Sequence, residues 1–241
     1  MDKLLVLVNG LPGSGKSTLG RSLAQTLGAQ FLSKDIVKEA LATCVEGALA
    51  IPEIGGIAMD ALWALARATP ETVVIDSWWF KPRDLQLAAA GVKRSAADLA
   101  VEVWCDAPAE VARARYAARR RAPLHRDDQR LADDWTVWAE QAEPLGLTPV
   151  VVIDTTRPVD CADLVEQIKL VASPLPSDPA PHNVGRDQKD TADAALRDYV
   201  QRVRRVEAAQ RLFERGQQSE FDREATAHDE VKAARKRALE S

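Results

Sequence analysis

The 241-residue chain has little of several residue types on which whole classes of protein depend. It contains three cysteines and three histidines, too few and too scattered for a disulfide framework or a zinc site. No apolar run approaches the length of a membrane span, and we find no basic, apolar and small-residue pattern of a secretory signal. We therefore expect a cytoplasmic protein that does not engage a membrane.

The chain also lacks an excess of positive charge. Its net charge of −4 argues against a globally basic nucleic-acid-binding protein, although a local basic patch is compatible with it. Apolar residues make up 46% of the chain and charged residues 28%, a balance typical of a globular protein with a packed core.

The composition changes near residue 172, where a proline-rich segment begins. Residues 172–182 contain four prolines and no Lys or Arg, which is typical of a stiff linker. Residues 183–241 are highly charged and have few large apolar side chains, so they can form helices but cannot bury much of a core alone. We therefore predict a domain at 1–171, a linker at 172–182 and an amphipathic helical tail at 183–241.

Five short apolar segments alternate with helical patterns in residues 1–171. Each segment is nearly continuous in apolar residues, as expected for a strand covered on both faces. The predicted strands are Leu4–Val8, Gln30–Leu32, Thr72–Ile75, Val101–Cys105 and Val150–Ile153. The predicted helices are Ser17–Leu27, Asp35–Leu49, Glu53–Ala68, Arg83–Ala90, Pro108–Arg121 and Asp128–Ala142. This alternation implies right-handed crossovers and a parallel sheet, so the predicted fold class is α/β.

The strongest motif is a complete G-x-x-x-x-G-K-[ST] sequence between the first predicted strand and the first predicted helix. In that position, backbone N–H groups and the helix dipole can surround phosphate oxygens. The Lys16 ammonium would reach the β- and γ-phosphates, and the Ser17 hydroxyl would bind Mg²⁺. The motif predicts a nucleoside triphosphate site made of Gly10, Leu11, Pro12, Gly13, Ser14, Gly15, Lys16, Ser17 and Thr18.

Asp35 follows the second predicted strand, at the edge where ligands bind in open α/β sheets. Its carboxylate can accept the proton of a substrate hydroxyl that attacks the γ-phosphate. The alternative is that Asp35, or Ser33, only caps the following helix. We predict a catalytic and substrate-binding role for Asp35.

The third predicted strand leads to Asp76 at the same edge of the sheet. An acid there can hold Mg²⁺ through water or orient a substrate. Trp78 and Trp79 follow, and their aromatic faces can form the wall of an acceptor pocket or, alternatively, pack against neighbouring helices. As an acceptor pocket, this apolar region would favour a substrate with a hydrophobic or ring surface.

Arg115 and Arg119 lie four residues apart and therefore share one face of a predicted helix. One guanidinium could stack on adenine and the other could bind phosphate as charge develops during transfer. The alternative is a solvated basic face. Thr155 follows the last predicted strand, in a turn that could line the pocket for the base. We place residues 120–125 in a lid without assigning individual roles.

These residues together resemble the small P-loop kinases. That group includes zeta toxins, chloramphenicol phosphotransferase, gluconate kinase and the kinase half of phage polynucleotide kinase, and the most similar members are actinobacterial kinase-like proteins often labelled AAA-family ATPases. Relatives often carry an Arg-His pair in the lid, whereas this chain has Arg121 and His125 separated by three residues. The stretches that carry the resemblance are Gly10–Thr18, Ser33–Leu41, Trp63–Ala66, Val73–Trp78 and Val103–Arg119.

The resemblance implies a three-layer nucleoside-kinase-like fold with a five-stranded sheet of order 2-3-1-4-5. It also implies ATP with Mg²⁺ as the phosphate donor, a hydroxyl of a small molecule as the acceptor and Asp35 as the base. We therefore expect a kinase in which Lys16, Asp35 and Arg119 are catalytic. The alternatives are a zeta-like toxin, a kinase of nucleic-acid 5′-hydroxyls, or a non-enzymatic NTP-dependent binding module.

The predicted tail has a separate and weaker resemblance. Residues 183–241 look like the second helix and C-terminal arm of VapB-type antitoxins, without the N-terminal ribbon and first helix of that DNA-binding fold. The tail could pack on the kinase domain, self-associate or bind a protein partner, and the binding-module alternative would act through it.

Overall fold

We analysed a computed structural model of the protein, which describes residues 2–45 and 47–175. The predicted tail at 183–241 and most of the predicted linker lie outside the described residues. The expectation of self-association or partner binding through the tail therefore stays a prediction.

A parallel sheet forms the centre of the described region. Its main strands have the order β2-β3-β1-β4-β5, which confirms the α/β fold class and the sheet order. Every predicted strand is present, with ends that differ by one or two residues because the hydrogen-bonded ladders extend beyond the apolar runs. The strands are β1 Leu4–Asn9, β2 Gln30–Ser33, β3 Val73–Asp76, β4 Leu99–Asp106 and β5 Val150–Asp154.

A short sixth strand adds to this sheet. β6, Ser173–Pro174, pairs antiparallel with the start of β4, and the Leu175 N–H donates to the Asp98 carbonyl oxygen at 2.9 Å. The composition assigns these residues to the linker because of their prolines, yet a proline is compatible with a strand at a sheet edge. Regular secondary structure therefore continues beyond residue 171, the predicted end of the domain.

Eight α-helices are present in the described residues, and the bounds of four predicted helices differ by more than one residue, among them Arg83–Ala90, which extends over Lys81–Arg94. The helix predicted to reach residue 49 ends at residue 43 and is followed by a 3₁₀ turn, Ala48–Ala50. The helix predicted to end at residue 121 ends at residue 117, the region 128–142 forms two helices, and α8 was not predicted. The helices are α1 Lys16–Leu27, α2 Lys34–Thr43, α3 Ile54–Ala68, α4 Lys81–Arg94, α5 Ala109–Ala117, α6 Asp127–Asp133, α7 Trp135–Gln141 and α8 Cys161–Val171.

The two faces of the sheet are covered by different helices. On β1, alternate side chains point to opposite faces, as the strand period requires. Val6 and Val8 pack against α1 and α8, whereas Leu5 and Leu7 pack against α3 and α4. This arrangement is the expected three-layer sandwich, with the carboxyl ends of β1, β2 and β3 at one edge.

Candidate active site

The phosphate loop connects β1 to α1, as the motif predicts, and its glycines are required by conformation and by space. Gly10, Gly13 and Gly15 have φ values of 142°, 90° and 94°, which side chains of L residues rarely adopt. A Cβ at Gly13 would overlap the carbonyl oxygen of Ala112 in α5. The loop therefore lies directly against α5, the helix that carries the predicted arginines.

Lys16 is almost enclosed within this loop. Its side chain is 6% exposed, and its Nζ donates to the Leu11 carbonyl oxygen at 2.8 Å. Burial lowers the pKa of Lys16 to about 8, because the charged ammonium has lost most of its hydration. The buried Ser14 hydroxyl in the same loop has no hydrogen-bond partner among the described residues. An anion in the loop would stabilise the ammonium and satisfy this hydroxyl.

Ser17 and Asp76 form the pair of oxygen donors expected for Mg²⁺. Asp76 is 4% exposed and accepts a hydrogen bond from the Ser33 Oγ at 3.2 Å. Burial raises the pKa of Asp76, whereas Lys16 and the Ser17 hydroxyl act in the opposite direction. Among residues 2–45 and 47–175, no cluster of three or more acidic, histidine or cysteine side chains could hold a metal. The Ser17 and Asp76 oxygens suit Mg²⁺, which commonly keeps few protein ligands and takes others from phosphates and water.

Asp35 lies at the start of α2 and contacts the lid residue Arg121. The Arg121 guanidinium donates to the Asp35 carboxylate and also makes two hydrogen bonds to Asp127, at 2.7 and 2.8 Å. His125 is buried, with its Nε2 2.7 Å from Glu39 Oε1 and its Nδ1 3.7 Å from Asp35 Oδ1. The structure thus places both Arg121 and His125, to which the sequence assigned no role, beside the predicted base.

The predicted arginines lie between two clefts. Arg115 donates from its NH1 to the Thr155 carbonyl oxygen at 3.1 Å, so these two predicted residues are in contact. Both line a cleft of about 490 Å³ beside Gly13, Gly15 and Thr18, which we call the nucleotide cleft. Arg119 lines this cleft and also a second one, so its side chain lies where the two spaces meet.

The second cleft, of about 390 Å³, brings together most of the remaining predicted residues. We call it the acceptor cleft. It lies on the other side of the phosphate loop residues Lys16 and Ser17 and is walled by α2, α3, α4, the lid and α6. The predicted site residues that line it are Pro12, Lys16, Ser17, Asp35, Asp76, Trp78, Trp79 and Arg119.

The two predicted aromatic residues have a double role in this wall. Trp79 is 2% exposed and its ring centroid lies 6.4 Å from that of Trp63, within the core under α3 and α4. Trp78 packs beside Phe80 and Trp138. Most of the surface of both rings is therefore covered by neighbouring side chains, as the packing alternative predicts. Only part of each ring faces the cleft.

One buried hydrogen-bond network that the sequence did not reveal joins the start of the phosphate loop to Trp79 in the wall of the acceptor cleft. Asn9 Oδ1 accepts from the N–H groups of Gly10 and Trp79, and Asn9 Nδ2 donates to Glu102 Oε1 at 2.9 Å. The fully buried Glu102 carboxylate also accepts from the N–H groups of Leu145 and Gly146. A charged residue inside the apolar run of β4 was the signal that could have revealed it.

No helix within the described ranges is long and apolar enough to cross a membrane.

Comparison with known proteins agrees with this architecture. A family model described as an AAA domain matches residues 5–144, which is more than half of the chain. A solved structure from Chloroflexus aurantiacus J-10-fl, described as a "putative kinase", is 20% identical with a TM-score of 0.56 and covers 71% of this chain and 99% of its own. The protein APE1195 is 20% identical with a TM-score of 0.51, covering 70% and 97%. These similarities confirm a P-loop kinase-like fold.

A curated relative matches part of the chain. Uncharacterized protein Rv2004c of Mycobacterium tuberculosis is 33% identical over 130 residues. The match covers 48% of this chain and 25% of the relative, so the chain spans about a quarter of the length of that protein.

Proposed function

This chain belongs to the AAA domain family, and we propose that it transfers the γ-phosphate of ATP to a hydroxyl group of a small molecule. The observation that carries the proposal is the composition of the acceptor cleft. Lys16 and Ser17 from the phosphate loop line the same space as Asp35, which follows β2 at the start of α2. A phosphate donor and a proton acceptor would therefore face one another across a pocket that can hold a small acceptor.

The charges around the phosphate loop support phosphoryl transfer. Lys16 would bind the β- and γ-phosphates, and Arg119, at the junction of the clefts, would stabilise the negative charge that develops between donor and acceptor. Ser17 and Asp76 would hold Mg²⁺, which when bound neutralises phosphate charge. Arg115 and Thr155 would line the base end of the nucleotide cleft.

Asp35 would take the proton of the acceptor hydroxyl as that oxygen attacks the γ-phosphorus and the bond to the β,γ-bridging oxygen breaks. Arg121 fixes the orientation of the Asp35 carboxylate through its hydrogen bond, while Asp127 anchors Arg121 from the other side. Lid residues thus position the base without themselves transferring a proton.

A γ-phosphate-transfer screen tests the proposal. Wild-type protein, Asp35→Asn and Asp163→Asn are compared with Mg-ATP and a panel of nucleosides, amino sugars, nucleotide sugars, aromatic antibiotics, phosphorylated sugars, hydroxy acids and 5′-hydroxyl oligonucleotides. We expect transfer to one class, reduced on the order of 10²–10⁴-fold in Asp35→Asn because a general base is lost. Asp163 is exposed on α8, so its matched substitution should change nothing.

Two results would overturn parts of the proposal. Wild-type transfer by Asp35→Asn would remove Asp35 from the chemistry. Tight nucleotide binding with no transfer to any acceptor class would contradict a phosphotransferase and favour a nucleotide-dependent binding module.

A further inference from the structure

The acceptor cleft is strongly cationic. Seven Lys or Arg residues line it against three Asp residues. Resting on the proposed function, we propose that the acceptor carries an oxyanion, either a phosphate monoester or a carboxylate, in addition to the hydroxyl that is phosphorylated. Lys34 at the start of α2, Lys38 one turn later and Arg130 of α6 bind this oxyanion.

Carboxylates form ion pairs with only some of these cations. Arg83 pairs with Asp84 at 2.7 Å and Arg121 pairs with Asp35, so these cations are already neutralised. In the described part of the chain, by contrast, no carboxylate pairs with Lys34, Lys38 or Arg130. Lys38 donates to the Leu124 carbonyl oxygen at 2.9 Å, and the Arg130 guanidinium lies 6.0 Å from the ring centroid of Trp138.

The three unpaired cations are close enough to repel one another. Burial lowers the pKa of Lys38, and repulsion from Arg130 and Lys34 lowers it further, whereas attraction to Asp35 acts in the opposite direction. Burial also lowers the pKa of Lys34; attraction to Asp84 and Asp35 opposes this shift, and repulsion from Arg83 and Arg130 adds to it. Charges crowded in a partly desolvated pocket are costly unless an anion compensates them, so the cluster is suited to an anionic ligand.

Three residues that line the acceptor cleft also carry buried hydrogen-bond donors without partners. Ser77, which is 4% exposed, has a buried Oγ without a partner, and the buried indole Nε1 atoms of Trp78 and Trp79 also lack one. An indole N–H can only donate, and a buried donor without an acceptor is destabilising. Because these atoms are buried, a ligand in the cleft does not contact them unless the wall rearranges, so the oxyanion site rests on the unpaired cations.

The unpaired cations are separate from those that would bind the nucleotide. Lys34, Lys38 and Arg130 line the acceptor cleft but not the nucleotide cleft, where Arg115, Arg119 and Arg157 provide the positive charge. Lys16 and Ser17, which would hold the phosphates and Mg²⁺, also line the acceptor cleft, so the assignment of the oxyanion to the acceptor is part of the proposal and is tested with the phosphate loop occupied. Trp78 and Trp79 form only one side of the acceptor cleft, and by themselves they would favour a substrate with an uncharged ring.

Calorimetric titration with inorganic phosphate and, separately, with acetate tests the oxyanion site directly. The protein is first saturated with Mg²⁺ and a non-hydrolysable ATP analogue, so that the phosphate loop is occupied. We expect saturable binding of one anion, weakened about tenfold or more in Lys34→Gln and in Arg130→Gln, because each removes a charge-assisted contact. Tighter binding of phosphate would indicate a phosphate monoester on the acceptor, and tighter binding of acetate would indicate a carboxylate.

The controls remove the same charge elsewhere. Lys93→Gln and Arg113→Gln change exposed residues outside both clefts and should leave anion binding unchanged. Nucleotide binding by each variant shows that it is folded. Unchanged anion affinity in both Lys34→Gln and Arg130→Gln, or no saturable binding of either anion, would overturn the inference.

The same variants distinguish this inference from the proposed function. In transfer assays we expect the KM for an anionic acceptor to rise about tenfold in Lys34→Gln while the KM for ATP stays unchanged. Transfer to neutral acceptors with no preference for their anionic counterparts would contradict the oxyanion site but retain the kinase. Anion binding that depends on Lys34, without any transfer, would retain the oxyanion site but contradict the kinase.

Discussion

The nucleotide side and the acceptor side of this site are constructed differently. The phosphate loop comes from nine consecutive residues and acts largely through its backbone, with glycines wherever a side chain would not fit. The acceptor side is assembled from side chains of several helices, a strand end and the lid, with partners such as Arg121 and Asp35 lying 86 residues apart. Phosphate binding is thus a local property of the chain, whereas acceptor binding depends on how distant elements pack.

The largest effect that separates the two sides should come from Lys16→Met. This substitution removes the ammonium from the phosphate loop but leaves the acceptor cations in place. We expect phosphate transfer to fall on the order of 10²–10³-fold, because a preorganised charge at the reacting phosphate is lost. Initial rates at saturating acceptor measure the loss, and Lys93→Met, on an exposed face of α4, serves as the matched control. Transfer within tenfold of wild type would contradict the assigned role.

A pH series should also act on the nucleotide side first. The Lys16 pKa of about 8 means that the free protein loses this charge as the pH rises above 8. We expect the Kd for Mg-ATP to rise by up to about tenfold per pH unit in that range, since only the ammonium binds phosphate well. Fluorescence titration across about pH 6.5 to 9.5 measures it. Lys16→Met should show no inflection near pH 8, and the same flat profile in the wild type would contradict the prediction.

The same ionisation has a defined effect on stability. Between pH 8 and the ordinary lysine value of 10.5, the unfolded chain binds more protons at this position than the folded protein. The contribution of Lys16 to the free energy of unfolding should therefore increase as the pH rises through this window. Denaturant titrations of wild type and Lys16→Met at the two ends of the window isolate that contribution.

The smallest effect, confined to the acceptor side, is expected from Gly91→Ala. A Cβ on Gly91 of α4 would overlap the indole of Trp63, which packs in the core and lines the acceptor cleft. We expect a loss of about 1–3 kcal/mol in the free energy of unfolding, since overpacking forces side chains to shift. The KM for the acceptor should rise a few-fold while the Kd for ATP remains within about twofold.

Gly55→Ala is the matched control for the stability measurement. Gly55 lies in α3, where an added Cβ meets no atom within 4 Å, so the substitution should be neutral or slightly stabilising. Denaturant unfolding compares the two variants. Equal stability of both would show that Trp63 has room to move.

How much of the fold the sequence predicts depends on how local the determining interactions are. The five apolar strands were predicted because buried parallel strands are marked by continuous apolar runs, whereas their order was implied by the resemblance to small P-loop kinases. The α8 helix was missed although Asp160 accepts hydrogen bonds from the N–H groups of residues 162 and 163 at its start. Its apolar side chains, Leu164 and Ile168, are explained only by the α1 face that they cover.

The positions of the lid residues, like that of α8, depend on contacts between distant residues and could not be predicted from the sequence. The spacing of Arg121 and His125 departs from the pair found in relatives, so the sequence assigned neither residue a role. In the structure, a 3₁₀ turn at Pro123–His125 brings His125 to Glu39 and places Arg121 beside Asp35. Their positions depend on contacts between the lid and α2, which no local pattern encodes.

By itself, the sequence determined the phosphate loop, the positions of Lys16, Ser17 and Asp35, and the alternation that produces the sheet. Glycine conformations, short apolar runs and strand ends are properties of neighbouring residues, so a linear pattern is enough to predict them. Only the tertiary structure decided that Lys34, Lys38 and Arg130 converge without carboxylate partners. The physical reason is that burial and charge compensation are set by residues distant in the chain, which become neighbours only when the helices pack.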